Sequence, residues 1–84
     1  MFSRRFRKKI VITQHAQERM LERGISDTEL LDVIESGTIR KNDEKRMWIF
    51  KAVEKRADNL ICAAVMEEDR LIVKTVMINW QLVG

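Results

Sequence analysis

Apolar positions along this chain change period twice. Ile10-Val11-Ile12 is a short unbroken run, and Ile12, Ala16 and Met20 then recur every four residues, the spacing that lines up one face of a helix. Lys8 to Ile12 therefore reads as a strand leading into a first helix that runs to Arg23, with Thr13 as its N-cap and Gly24 as its C-cap glycine. Ser26 and Glu29 form a capping box, and Ile25 and Leu30 occupy the two positions of a hydrophobic staple, so a second helix begins at Asp27. Leu30, Leu31, Val33 and Ile34 give it an apolar face, and Gly37 ends it.

Beyond Gly37 the period becomes strand-like. Thr38 to Lys45 contains a polar turn, and Arg46 to Val53, Leu60 to Met66 and Leu71 to Ile78 read as three strands. Charged turns separate them at Glu54 to Asn59 and at Glu67 to Arg70. The expected fold is α+β in the order β-α-α-β-β-β, with two short helices packed on one face of an antiparallel meander. These strands are apolar on both faces: Met47, Ile49 and Val53 alternate with Trp48, Phe50 and Ala52. Two short helices cover only one face, so the other needs a cover. The candidates are a homodimer, a protein partner, or the N-terminal strand folding back together with Trp80-Gln81-Leu82-Val83.

Composition narrows this picture. Eighty-four residues, 45% hydrophobic and 35% charged, make one globular domain. A single cysteine, Cys62, excludes an internal disulfide and reads as a small buried hydrophobe; no His/Cys cluster suits a metal and no cofactor is implied. No apolar stretch suits a signal peptide or a membrane span, and the expected location is cytoplasmic. Five of the sixteen basic residues, Arg4, Arg5, Arg7, Lys8 and Lys9, fall in positions 1–9, where there is no acid; residues 10–84 hold eleven basic and thirteen acidic residues. The basic balance thus belongs to an N-terminal arm (1–9) preceding the domain (10–84). With Phe2 and Phe6 interleaved, that arm suits either a nucleic-acid backbone or a solvated terminus.

The candidate chemistry lies on the first helix. His15, Arg19 and Arg23 stand four residues apart and form a ladder along one face. Imidazole exchanges protons near neutral pH and guanidinium binds phosphate through paired donors, so the ladder suits phosphodiester chemistry. Glu18 and Glu22 lie beside it, and the alternative is a solvated helix whose charges neutralise one another. Lys74 and Thr75 interrupt the apolar last strand, one on each face, Lys74 with Ile72, Val76 and Ile78. Lys74 is either an edge residue with a snorkelled stem or an active-site cation, and Thr75 either packs or donates a hydrogen bond. Lys51, Lys41 and Arg46 are further cations of the same ambiguity. Metal-free RNA cleavage needs a base for the 2′-hydroxyl, cations around the phosphate and an acid for the leaving oxygen. His15 is the only group here that ordinarily titrates near neutrality, so a second proton carrier would be Glu18, Glu22 or a perturbed lysine.

The stretch Thr13-Gln14-His15-Ala16-Gln17-Glu18-Arg19-Met20-Leu21-Glu22-Arg23-Gly24-Ile25-Ser26, with Val73-Lys74-Thr75-Val76 far downstream, resembles the DUF4258 family of small bacterial proteins. That family pairs a His-Ala-x-x-Arg-Met-x-x-Arg-Gly-Ile helix with a meander carrying a threonine in its last strand. The resemblance covers about residues 11–78. By fold the family is similar to RelE-like toxins, metal-independent ribonucleases, and the resemblance implies a RelE/barnase-like architecture with His15, Arg19, Arg23 and Thr75 as the positions of interest. This chain has no tyrosine and no histidine in its strands, residue types that several RelE-like enzymes use. Three readings follow. The first is an endoribonuclease toxin with an antitoxin or a second copy on the uncovered sheet face; the second is a non-catalytic RNA- or protein-binding module; the third is a structural homodimer.

Overall fold

Both helices are bounded by capping chemistry. In the computed structural model, which describes residues 1–52 and 59–78, α1 spans Gln14–Arg23 and α2 spans Asp27–Ser36. Thr13 Oγ1 accepts from the Ala16 amide at 3.1 Å, which satisfies one of the donors that a helix start leaves without a partner. At the other end Gly24 adopts φ 63°, a left-handed conformation that costs glycine nothing. The Ile25 amide then reaches back to the Met20 carbonyl at 2.9 Å and the Gly24 amide to Leu21, the paired bonds of a Schellman turn. At the start of α2, Ser26 Oγ accepts from the Glu29 amide at 3.1 Å while Glu29 Oε1 accepts from the Ser26 amide at 3.0 Å. Gly37 closes α2 for a different reason: a Cβ there would collide with the carbonyl oxygens of Val33 and Phe50.

Six strands form one sheet: β1 (Phe2–Ser3), β2 (Lys8–Ile12), β3 (Thr38–Lys41), β4 (Arg46–Ala52), β5 (Asn59–Met66) and β6 (Arg70–Ile78). Their spatial order is β1-β2-β6-β5-β4-β3. The expectation of an antiparallel sheet is corrected here. The β3 to β6 meander is antiparallel, but β2 lies parallel to β6, with Ile10 beside Leu71 and Ile12 beside Val73, so the sheet is mixed. The chain from α1 through β5 forms the crossover between these two parallel strands, far longer than the minimum such a connection needs. Two strands were not expected. β3 is a short edge strand with one inward apolar residue, Ile39, and β1 is only two residues long.

One face of the sheet carries the core. Ile10, Met47, Ile49, Leu60, Cys62, Ala64, Leu71, Val73 and Val76 are buried against Ala16, Met20, Ile25, Leu30, Val33 and Ile34 from the helices. Cross-strand register places other residues on the opposite face, in rows Arg40-Trp48-Ala63-Thr75, Thr38-Phe50-Ile61-Met77 and Arg46-Val65-Ile72-Val11. β2 extends the sheet sideways instead of folding over that face. Of the expected turn Glu54 to Asn59, residues 54–58 lie outside the described residues, as does the tail 80–83, while Asn59 is already the first residue of β5.

Between Ala63 and Ala64 the register of β5 against β6 shifts, so that Ala63 faces Thr75 and Ala64 faces Val73. Lys74 is the extra residue of this bulge, which reverses the alternation of β6. Val76 therefore joins Leu71 and Val73 in the core, and Thr75 faces outward with Ile72. The grouping of Lys74 with Val76 and Ile78, read from strict alternation, is thereby corrected.

Candidate functional site

The His15 ladder twists as it climbs. An α-helix turns 3.6 residues per revolution, so each four-residue step drifts by about 40°. Burial follows the drift: His15 is exposed, whereas Arg19 and Arg23 are half-buried. Arg23 Nη1 donates to the Val76 carbonyl of β6 at 3.0 Å. Arg19 Nη1 instead meets Glu22 Oε2 at 2.6 Å, an exposed i,i+3 ion pair. The His15 side chain has no hydrogen bond or ion pair with another described residue.

The flank of β6 explains Arg23. β2 covers β6 only as far as Val73, where the chain leaves for α1. Beyond that point α1 supplies what a neighbouring strand would have supplied: the Thr13 amide donates to the Val73 carbonyl at 3.2 Å, Thr13 Oγ1 bonds the Lys74 carbonyl at 3.3 Å, and Arg23 takes the Val76 carbonyl. Buried or half-buried carbonyls need such partners. Arg23 and Thr13 thus seal a strand edge.

At the N-terminal end of this seam the sequence candidates converge. Thr13 pins the start of α1 to the bulge, His15 stands on the first helical turn, and Lys74 is exposed on the bulge itself. The first-turn amides of a helix have no intrahelical acceptor and carry its positive dipole end, and α1 has no acid in that turn. His15 thus lies two residues after Thr13, and Lys74 is the residue whose carbonyl the Thr13 hydroxyl binds, both of them exposed. Thr75, by contrast, lies on the other face of the sheet, and Arg19 stands one turn away with its carboxylate partner.

The basic segment is folded into the domain. Ser3 is fully buried and its hydroxyl donates to Glu35 Oε2 at 3.3 Å, while the Arg4 and Arg5 amides donate to the same carboxylate at 2.7 and 2.9 Å. Arg5 Nη1 caps the end of α2 through the Ile34 and Gly37 carbonyls at 3.1 and 2.7 Å. Lys8 Nζ reaches the Glu68 carbonyl at 2.6 Å. The side chains of Arg4, Arg7 and Lys9 remain exposed. Sequence reading missed the Glu35 clasp, and no local signal could have revealed a contact across thirty residues.

Other candidates resolve into structure. Lys51 Nζ bonds Asp32 Oδ2 at 2.9 Å and Ser36 Oγ at 2.7 Å, which ties β4 to α2. Arg46 pairs with Asp43 at 2.8 Å. Hydrogen bonds from the Arg46 and Lys45 amides, helped by the Arg46 guanidinium, lower the Asp43 carboxyl to about 2. Burial pushes the Cys62 thiol up to about 12, which removes it as a nucleophile near neutral pH. Among the described residues no helix is long and apolar enough to cross a membrane.

No curated protein and no solved structure matches the chain. A family model does, over residues 12–78, from the strand end before Thr13 to the last described residue of β6. Its span takes in α1, the bulge and the joint between them. The chain belongs to this family, DUF4258, described as a domain of unknown function.

Proposed function

We propose that this protein cleaves RNA without a metal ion, as a small toxin of RelE-like type, and that the reaction takes place where α1 meets the β6 bulge. One observation supports the reading: Thr13 binds the Val73 and Lys74 carbonyls at the positive end of a helix, with the exposed His15 two residues further on and Lys74 exposed on the bulge. A phosphodiester lying there has its non-bridging oxygens held by the Lys74 ammonium and the first-turn amides. His15 takes the proton of the neighbouring 2′-hydroxyl, and the 2′ oxygen attacks phosphorus as the bond to the 5′ oxygen breaks. The products are a 2′,3′-cyclic phosphate and a 5′-hydroxyl end, whose proton comes from water. Arg19, released from Glu22, supports the phosphate from one turn away. The face bearing Trp48, Val65 and Ile72 is the seat proposed for an antitoxin.

A second reading, a non-catalytic RNA-binding module, is favoured by the exposed basic side chains of Arg4, Arg7 and Lys9. End-labelled single-stranded RNA incubated with the protein and a chelator separates the two. Cleavage that falls by about 100-fold or more in His15→Ala, with an unchanged circular dichroism spectrum, supports the nuclease. Salt-sensitive binding without cleavage, indifferent to His15→Ala, supports the binding module. RNA that is neither bound nor cut refutes both.

A further inference from the structure

Three large apolar side chains are exposed among the described residues, and they form two patches of opposite electrostatic character. Leu21 is 84% exposed on the outer side of α1 and forms one wall of a shallow groove of about 330 Å³ with Ile12, Gln17, Met20, Ile25 and Asp27. Asp27 lines the groove and Glu18 stands one helical turn before Leu21, both exposed and in no salt bridge with a described residue. Phe2 and Met1 are 58% and 41% exposed at the β1 edge. Here the surroundings are basic, with Lys9 directly across from Phe2 and Arg4 and Arg7 nearby, their side chains likewise outside any salt bridge among the described residues.

We propose that these patches bind each other between two copies of the chain, Phe2 of one protomer entering the groove beside Leu21 of another. Single exposed leucines are ordinary on protein surfaces, but a leucine that walls a groove floored by Met20 offers an aromatic ring a partly enclosed site. Charge selects the occupant. A second Leu21 groove would bring Glu18 and Asp27 against their own copies, and two β1 edges would oppose Arg4, Arg7 and Lys9, whereas groove against edge pairs acid with base. The fixed β1 edge favours the same choice. The Glu35 clasp holds Ser3, Arg4 and Arg5, so Phe2 projects from an ordered support and little freedom is lost on docking.

Contacts of this kind join different surfaces, so they either close reciprocally in a dimer or continue head to tail. Neither form uses the apolar sheet face assigned above to an antitoxin, nor does it depend on RNA cleavage.

Sedimentation of the full chain from micromolar to about 1 mM tests the contact directly. The wild type should self-associate, and Phe2→Ser and Leu21→Ser should each weaken association by about tenfold or more. Because both residues are exposed, neither change should alter the fold, which circular dichroism confirms. An equimolar mixture of the two variants then discriminates. Phe2→Ser keeps an intact groove and Leu21→Ser an intact Phe2, so the mixture should associate more strongly than either variant alone, and Asp27→Lys should abolish that gain. A wild type that stays monomeric throughout overturns the proposal. So does association that survives both substitutions, or a mixture no stronger than its components.

Discussion

The two ends of α1 carry the same type of side chain pattern and have opposite fates. At the C-terminal end, Met20 is buried, Gly24 closes the helix and Arg23 is fastened to the Val76 carbonyl. At the N-terminal end, His15 and Gln14 are exposed, and the ties are those of Thr13 to the bulge, the buried Ala16 and the bond from Gln17 to the Ile12 carbonyl. A ladder that looks uniform in sequence is thus fastened to the sheet at its top and exposed at its foot. The cause is the angular drift of four-residue spacing along the helix, which brings Arg23 onto the Val76 carbonyl and leaves His15 exposed.

The largest effect that would sharpen this contrast comes from the buried end. Met20→Ala removes a side chain only 4% exposed, and the resulting cavity should cost about 2–4 kcal/mol. Urea denaturation measures it. A loss below about 1 kcal/mol would mean that the top of α1 does not hold the helix to the sheet, and the distinction between the ends would fail. Thr13→Ala should come next, at about 1–2 kcal/mol, because it removes both the helix cap and the bond to the Lys74 carbonyl. Native-state hydrogen exchange should show faster exchange at Ala16 and at the first turn, while the Gly24 and Ile25 amides stay protected. Uniform loss of protection along α1 would show that the helix opens as one unit and has no separate ends.

Much of this was legible from local sequence. The capping box at Ser26, the glycine after Arg23 and the limits of Lys8–Ile12 follow from short-range chemistry, and the structure reproduces them residue for residue. What local pattern could not reveal was pairing. The parallel partnership of β2 with β6 joins residues some sixty positions apart, and a run such as Ile10-Val11-Ile12 fits an edge, a centre or a cover equally well. β3 was hidden because Thr38-Ile39-Arg40-Lys41 is mostly polar, as suits a strand at a sheet edge. The bulge at Lys74 had a faint signal in two successive polar residues within an apolar strand. Since β6 is apolar on both faces, no alternation was available to show the reversal. The candidate site divides in the same way. His15 and Lys74 were found by residue type and are both exposed, whereas Arg23 and Thr75 were found by the same reasoning and are positioned by the β6 flank and the bulge.

The smallest expected effect separates the two arginines. Replacement by methionine keeps an apolar stem of similar reach and removes only the guanidinium. Arg23→Met leaves the half-buried Val76 carbonyl without that donor, which should cost about 1 kcal/mol. Arg19→Met breaks an exposed pair with Glu22 and should change stability by less than about 0.5 kcal/mol. On RNA the ranking should reverse. Arg19 stands one turn above His15 and its guanidinium has only a solvent-exposed carboxylate to leave, so its removal should weaken RNA binding and flatten the salt dependence. Arg23→Met should leave both unchanged once the fraction folded is accounted for, because its side chain already serves the strand edge. Equal stability losses for the two variants would show that the ladder is one structural unit. If Arg23→Met weakened RNA binding more than Arg19→Met, the phosphate would have to lie at the top of α1, and the joint at Thr13 would no longer be the site.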